Sequence, residues 1–126
     1  MAGLLIAFEG LDQSGKQTQA ERLRDRLIAS GRRSRLVSFP EYTTPIGQEI
    51  SRALHGERDY GADVMQLLYV ANRYERKPYL AQCLADDEIL VSDRYLASSI
   101  AYGSAFGLDA AWLADIQKFL PQPDLT

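Results

Sequence analysis

Gly10-Leu-Asp-Gln-Ser-Gly15-Lys16 follows an apolar run, Leu4-Leu5-Ile6-Ala7-Phe8, and opens onto a helical pattern that begins near Gly15. Strand, glycine-cornered loop and helix in that order build a cradle for phosphate oxygens. Backbone N–H groups point inward, the helix N-terminus adds partial positive charge, and the lysine adds a full one. Glycine suits both corners, because a Cβ there would crowd the phosphates or forbid the backbone angles. Gly10, Leu11, Asp12, Gln13, Ser14, Gly15, Lys16, Gln17 and Thr18 are therefore candidates for holding nucleotide phosphates. Gln17 stands where a Ser or Thr usually follows the lysine and ligates Mg²⁺. Without its flanking strand and helix, the same stretch is a glycine-bearing turn with a surface lysine.

Outward from this loop, strands and helices alternate. Residues 3–9 read as a buried strand, and residues 15–30 as a helix with Ala20, Leu23, Leu27 and Ile28 on one face. Ser14 is the expected N-cap and Gly31 the stop. A second strand runs from Ser34 to Phe39 and ends at Pro40, and residues 45–55 have helical spacing at Ile46, Ile50 and Leu54. A longer helix starts near Ala62 and carries Val64, Leu67, Leu68 and Ala71; Pro78 is expected to kink or restart it. Ile89-Leu-Val-Ser92 is a third strand, followed by helical stretches near 95–104 and 109–119. The order implies a parallel sheet flanked by helices, an α/β fold. A fourth strand begins at the last residues, so residues 1–126 read as a single domain that is the N-terminal part of a larger protein.

Bulk properties narrow the function. With 126 residues and 46% hydrophobic side chains, the chain can bury one core. Its net charge of −3 favours neither nucleic acid nor an anionic membrane as partner. No apolar run approaches the ~20 residues of a membrane span, and no secretory signal is evident. Cys83, the single cysteine, cannot form an intrachain disulfide and sits in an apolar helical stretch, where it reads as a buried packing residue. A cytoplasmic location is the expectation.

In parallel α/β sheets, ligands sit beyond the carboxyl ends of the strands. Those ends are Glu9-Gly10, Phe39-Pro-Glu-Tyr42 and Asp93-Arg94-Tyr95, which should line one crevice. Asp93 can hold Mg²⁺, directly or through water, and Arg94 can grip a phosphate bidentately; a purely structural Asp–Arg pair is the alternative. Tyr69 and Arg73, four residues apart, share a helix face and can read a flat base by stacking and hydrogen bonding. A core tyrosine beside a surface arginine accounts for the spacing equally. Ser99 and Tyr102 follow Arg94 closely enough to reach the same crevice. His55, before Gly56, reads as a helix-terminal residue, and Arg32, Arg33 and Arg35 as a solvated cluster.

Taken together, the motifs resemble the thymidylate kinase family. The matching pieces are Phe8-Glu-Gly-Leu-Asp-Gln-Ser-Gly-Lys-Gln-Thr-Gln19, Phe39-Pro-Glu-Tyr42 with Pro45-Ile-Gly47, Ala71-Asn-Arg73, Asp93-Arg-Tyr95 with Ser98, and Leu120-Pro-Gln-Pro-Asp-Leu125. The resemblance implies a P-loop fold and transfer of the γ-phosphoryl group of ATP to dTMP, giving dTDP, with Mg²⁺ and as a homodimer. It implies that Lys16 and the loop hold the ATP phosphates, and that Asp12 binds the acceptor's 3′-hydroxyl and, with Asp93, lies near the metal. Arg94 would hold the acceptor phosphate, so that Lys16, Asp93 and Arg94 form the catalytic set. Phe39, Tyr42, Tyr69, Arg73, Ser99 and Tyr102 would line the dTMP site: Tyr69 stacks on thymine, Arg73 bonds its carbonyl, and Tyr102 crowds a 2′-hydroxyl. Three positions depart from common patterns. Gln13 stands where some members carry a catalytic arginine, which members without it place in a lid; Tyr42 stands where some members have an arginine, though tyrosine also occurs there; and Gln17 replaces the hydroxyl. A deoxynucleoside kinase shares this fold but usually carries Glu-Arg-Ser at the third strand end. A nucleotide-binding module without turnover is the non-enzyme alternative.

Overall fold

Ile89–Asp93 (β3) is the strand on which the rest is built, because its run Ile-Leu-Val-Ser is buried at every position. A continuous buried run belongs at the centre of a parallel sheet covered on both faces. In the computed structural model, Leu4–Phe8 (β1) and Ser34–Ser38 (β2) pair with it in parallel on either side, in the order β1-β3-β2. The structure describes residues 3–10 and 15–126, and of Lys16 the backbone alone. The N-cap of the helix that starts at Lys16 is Gly15 rather than the expected Ser14; Ser14 itself, the loop residues Leu11, Asp12 and Gln13, and the Lys16 ammonium lie outside the described residues.

The helices are Lys16–Ala29 (α1), Pro45–Leu54 (α2), Ala62–Glu75 (α3), Lys77–Ala85 (α4), Leu96–Ala105 (α5) and Ala110–Asp115 (α6). Their ends follow local chemistry. Thr44 caps α2, its Oγ1 accepting from the Gly47 N–H at 3.0 Å, and Pro45 opens the first turn. Pro78 restarts the helix as expected: α3 ends and α4 begins at Arg76, with the proline in the first turn of α4. Asp109 caps α6 through the Ala111 N–H, at 3.2 Å.

Leu5, Ala7, Val37 and Leu90 on one sheet face meet Leu80 and Cys83 of α4, Tyr95, Leu96 and Leu120. Cys83 is accordingly a packing residue, and burial pushes its thiol pKa up. The opposite face is covered by α1, where Ala20 is fully buried.

Two expectations need correction. Ile28 is 52% exposed rather than part of the buried stripe. At 3.6 residues per turn it lies about 80° round the helix from Ala20, and it sits in the last turn. The helix expected over 109–119 ends at Asp115. Beyond it, the N–H groups of Gln117, Lys118 and Leu120 each bond three residues back, to Ala114, Asp115 and Gln117. Those tighter turns bury Leu120 and Gln117 together.

The expected fourth strand starts where the sequence placed it. Leu125 forms a parallel bridge with Ile6, the Ala7 N–H bonds the Leu125 carbonyl at 2.9 Å, and the Asp124 carboxylate accepts from the Leu5 N–H at 2.8 Å. No helix among the described residues is long and apolar enough to cross a membrane.

Candidate active site

All three strands point their carboxyl ends to one side, and the turn after β3 sets the geometry there. Arg94 adopts φ 68°, a left-handed conformation that a side chain makes costly. Three groups hold it: its N–H donates to the Phe8 carbonyl at 2.8 Å, its carbonyl accepts from the Ser92 hydroxyl at 2.6 Å, and Glu9 secures the start of α5 just after it. The Glu9 carboxylate accepts from the N–H groups of Tyr95 (3.1 Å) and Ala97 (3.0 Å) and from the Ser98 hydroxyl (2.6 Å). It thus caps α5 from the residue just after β1. The guanidinium of Arg94 sits 5.5 Å from the Tyr102 ring centre and donates to its hydroxyl at 3.4 Å.

Beside this turn lies a cavity of about 620 Å³, lined among others by Phe39, Tyr69, Arg73, Arg94, Ser99 and Tyr102. The sequence expectations for a base-binding pocket converge on it. Arg73 is no surface residue: it is 4% exposed, and its Nη1 donates to Ser99 Oγ (2.8 Å) and Gln117 Oε1 (2.7 Å). Burial pulls its pKa down to about 10, partly opposed by Glu9, Tyr95 and Tyr69. It therefore stays cationic at neutral pH, with its Nε–H facing no acceptor among the described residues. Gln117 is oriented in turn by donating to the carbonyls of Leu96 (3.2 Å) and Leu113 (3.0 Å). Burial raises the pKa of Tyr69, which keeps its phenol neutral.

Tyr42 reaches the cavity from the segment after β2, where the Phe39–Pro40 peptide bond is cis. The segment is held by Asn72, whose Oδ1 accepts from the Glu41 N–H at 2.7 Å and whose Nδ2 donates to the Glu41 carbonyl at 3.0 Å. Gly47 lets α2 close on it, since a Cβ there would run into the Glu41 carbonyl. Phe39 serves two purposes, packing at 5.7 Å from the Tyr95 ring in the core while lining the cavity.

A second cavity, of about 490 Å³, adjoins the first and is lined by Gln17, Ser38, Glu41, Asp93 and Arg94 among others. Phe39, Pro40, Tyr42 and Arg94 belong to both. The first turn of α1 enters here from Gly15, at φ 84°, a conformation suited to glycine. Gly10 and Gly15 thus flank the loop, and Gln17 and Thr18 lie in the first helical turn, where free N–H groups favour an anion. Among the described residues no three His, Cys, Asp or Glu side chains gather as a metal cage. The cavity offers a carboxylate on Asp93, while Thr43 N–H and Oγ1 both bond one oxygen of the Glu41 carboxylate. One carboxylate together with substrate phosphates and water is a donor set Mg²⁺ accepts, so Asp93 fits the expectation.

His55 caps the end of α2, with its Nδ1 2.7 Å from the Ser51 carbonyl, away from the site's chemistry. Three contributors were given no such role by the sequence. Gln66 lies three residues before Tyr69 on the same helix face and was detectable by spacing. Glu9 was visible only as a strand end, and Gln117 had no local signal, being 44 residues from the arginine it holds.

The family model for thymidylate kinase matches residues 8–126. The chain belongs to the thymidylate kinase family. It is 40% identical over 123 residues to the thymidylate kinase of Schizosaccharomyces pombe, and 40% identical over 126 residues to that of Homo sapiens, each alignment covering 98% of this chain. The thymidylate kinase structure from Candida albicans superimposes with a TM-score of 0.79 at 34% identity, covering 99% of this chain. The chain spans 59%, 58% and 61% of the length of these three relatives. The family's fold therefore agrees with the parallel sheet and flanking helices seen here.

Proposed function

We propose that the chain forms the acceptor half, and part of the donor half, of a kinase that transfers the γ-phosphoryl group of ATP to dTMP. Arg94 is the observation that carries this reading: it lines both the cavity that holds Tyr69 and Arg73 and the cavity at the start of α1. One cation at that boundary suits a reaction in which two anionic phosphates must meet. A phosphate oxygen of dTMP attacks the γ-phosphorus, the bond from that phosphorus to the β,γ-bridging oxygen breaks, and ADP departs. The nucleophile is already anionic, so the protein's task is alignment and charge neutralisation.

Each residue has a defined part in that task. Tyr69 supplies a plate for thymine, Arg73 a donor for a base carbonyl, and Ser99 a fixed neighbour for both. Tyr102 braces Arg94 and occupies space beside the sugar, which disfavours a 2′-hydroxyl. Phe39 and Tyr42 close the wall. The α1 N-terminus and Lys16 serve the ATP phosphates, with Asp12 toward the acceptor sugar. Asp93, with Asp12 near it in role, would hold Mg²⁺, which when bound draws charge from the phosphate oxygens. Val64 and Leu67, 39% and 45% exposed on α3, are the surface a second copy would cover in a homodimer. The substrate pair and the buried free cysteine suit a cytoplasmic setting.

Calorimetry of the chain with dTMP, beside dTDP production by the full-length protein and its Lys16→Ala variant, tests the reading. dTMP binding to the chain and loss of turnover in the variant are expected. Unchanged turnover in Lys16→Ala, or phosphorylation of thymidine in preference to dTMP, overturns it.

A further inference from the structure

Two residues that line the first cavity each carry a buried polar atom with no hydrogen-bond partner among the described residues: the Nε–H of Arg73, a donor, and Oε1 of Gln66, an acceptor. Buried groups of this kind are normally satisfied, so a pair of them on one cavity calls for an explanation. Gln66 is 5% exposed. Its stem packs toward α5, where a Cβ built on Gly103 would lie 3.4 Å from Gln66 Cγ. Packing thus limits where the amide can go. Along α3, Gln66, Tyr69 and Arg73 stand at positions i, i+3 and i+7, one helix face, with the aromatic plate between the two polar ends.

The two atoms make opposite demands. Arginine can only donate, and a carbonyl oxygen can only accept. A flat ligand satisfying both must offer an acceptor to Arg73 and an N–H to Gln66. Thymine and uracil do so with an imide, a C4 carbonyl beside N3–H. Cytosine presents an amino group at C4 and a bare N3, which places a donor against a donor. We propose that Gln66 reads the N3–H of the acceptor's pyrimidine, which makes it a specificity-determining residue for imide-bearing bases. This assignment rests on the cavity being the acceptor-nucleotide site.

Calorimetric titration of the chain with dTMP and with N3-methyl-dTMP tests it. The methylated ligand should bind about 10- to 100-fold more weakly, as when a buried hydrogen-bonding site meets an analogue lacking the group. Gln66→Met retains length and removes the acceptor. It should weaken dTMP binding about tenfold and leave the two ligands within about threefold of each other. Equal affinity of the unaltered chain for both ligands overturns the assignment, and so does undiminished discrimination in Gln66→Met. If Gln66→Met does not fold, as judged by circular dichroism, the comparison of ligands on the unaltered chain decides. Absence of dTMP binding to the unaltered chain removes the acceptor-site reading itself, an outcome distinct from dTMP binding without N3 discrimination.

Discussion

Asn72 and Arg73 are adjacent in α3 and both buried, yet their surroundings obey opposite rules. Around Asn72 the polar atoms are paired within the protein: Oδ1 takes the Glu41 N–H, and Nδ2 serves the Glu41 carbonyl, Thr44 Oγ1 and Glu75 Oε1, each at 3.0 Å. Glu75 in turn accepts from the Thr44 hydroxyl at 2.6 Å and the Ile46 N–H at 3.2 Å. Around Arg73 a cation is held by two neutral oxygens, and one N–H faces no acceptor among the described residues. A closed network specifies structure, whereas an incomplete one marks where a ligand finishes the pairing.

The sharpest way to break this contrast is Arg73→Met. Its effect should fall on binding: dTMP affinity drops by about 100-fold or more, since a charge-assisted hydrogen bond in a dry site is lost. Its urea-denaturation midpoint should move much less, because removing an incompletely paired buried cation offsets the hydrogen bonds given up. A stability loss as large as the binding loss would erase the distinction between the two regions. Asn72→Leu should show the reverse. It orphans the Glu41 N–H and leaves the Glu41 carbonyl with the Thr44 hydroxyl alone, at 3.2 Å, so about 2 kcal/mol of stability should vanish in urea denaturation, with any weakening of dTMP binding arising through the displaced Tyr42 segment.

Tyr102→Ala probes the exposed rim of the site. Loss of the ring beside Arg94 should relax the preference for deoxyribose about tenfold, measured as the ratio of kcat/KM for the deoxy and ribo acceptors of the full-length protein. An unaltered ratio counts against a role in sugar selection.

The smallest effect belongs to the loop closing the cavity's outer end. Glu49 accepts from the Tyr60 hydroxyl at 2.5 Å and from Arg58 Nε at 2.8 Å, and both partners line the cavity. The Tyr60 hydrogen bond, helped by Arg58, lowers the Glu49 pKa from its ordinary 4.5. A depressed carboxylate contributes stability above its unfolded pKa and loses it as pH falls through the folded one. Thermal melts of the unaltered chain and Glu49→Gln should therefore differ most above pH 4.5 and converge below it. A constant gap across that range would show that the carboxylate's charge is irrelevant there.

Much of this arrangement was legible beforehand. Strand and helix periods located β1 to β3 and α1 to α5 closely, and the three strand ends were placed on one crevice from topology alone. Tyr69 and Arg73 were paired by helical spacing, but spacing could not distinguish a buried cation from a surface one. That depended on α5 and the turns after α6 delivering Ser99 and Gln117, residues 26 and 44 positions away. Ile28 misled for a related reason: its hydrophobicity was real, but it lies about 80° round α1 from the buried Ala20 and stays 52% exposed.

Local order, then, was written in the chain: which segments are extended or helical, where they stop, and that a glycine-cornered loop leads into a helix. Backbone hydrogen bonding, side-chain period and capping act over a few residues, and so they are recorded in short stretches. The assembly of the crevice belongs to long-range packing. The left-handed turn at Arg94, its anchoring by Glu9 from just after β1, and the unfinished pairing of Arg73 and Gln66 all come from groups far apart in the chain. Such contacts depend on how whole elements dock, and no local pattern encodes them.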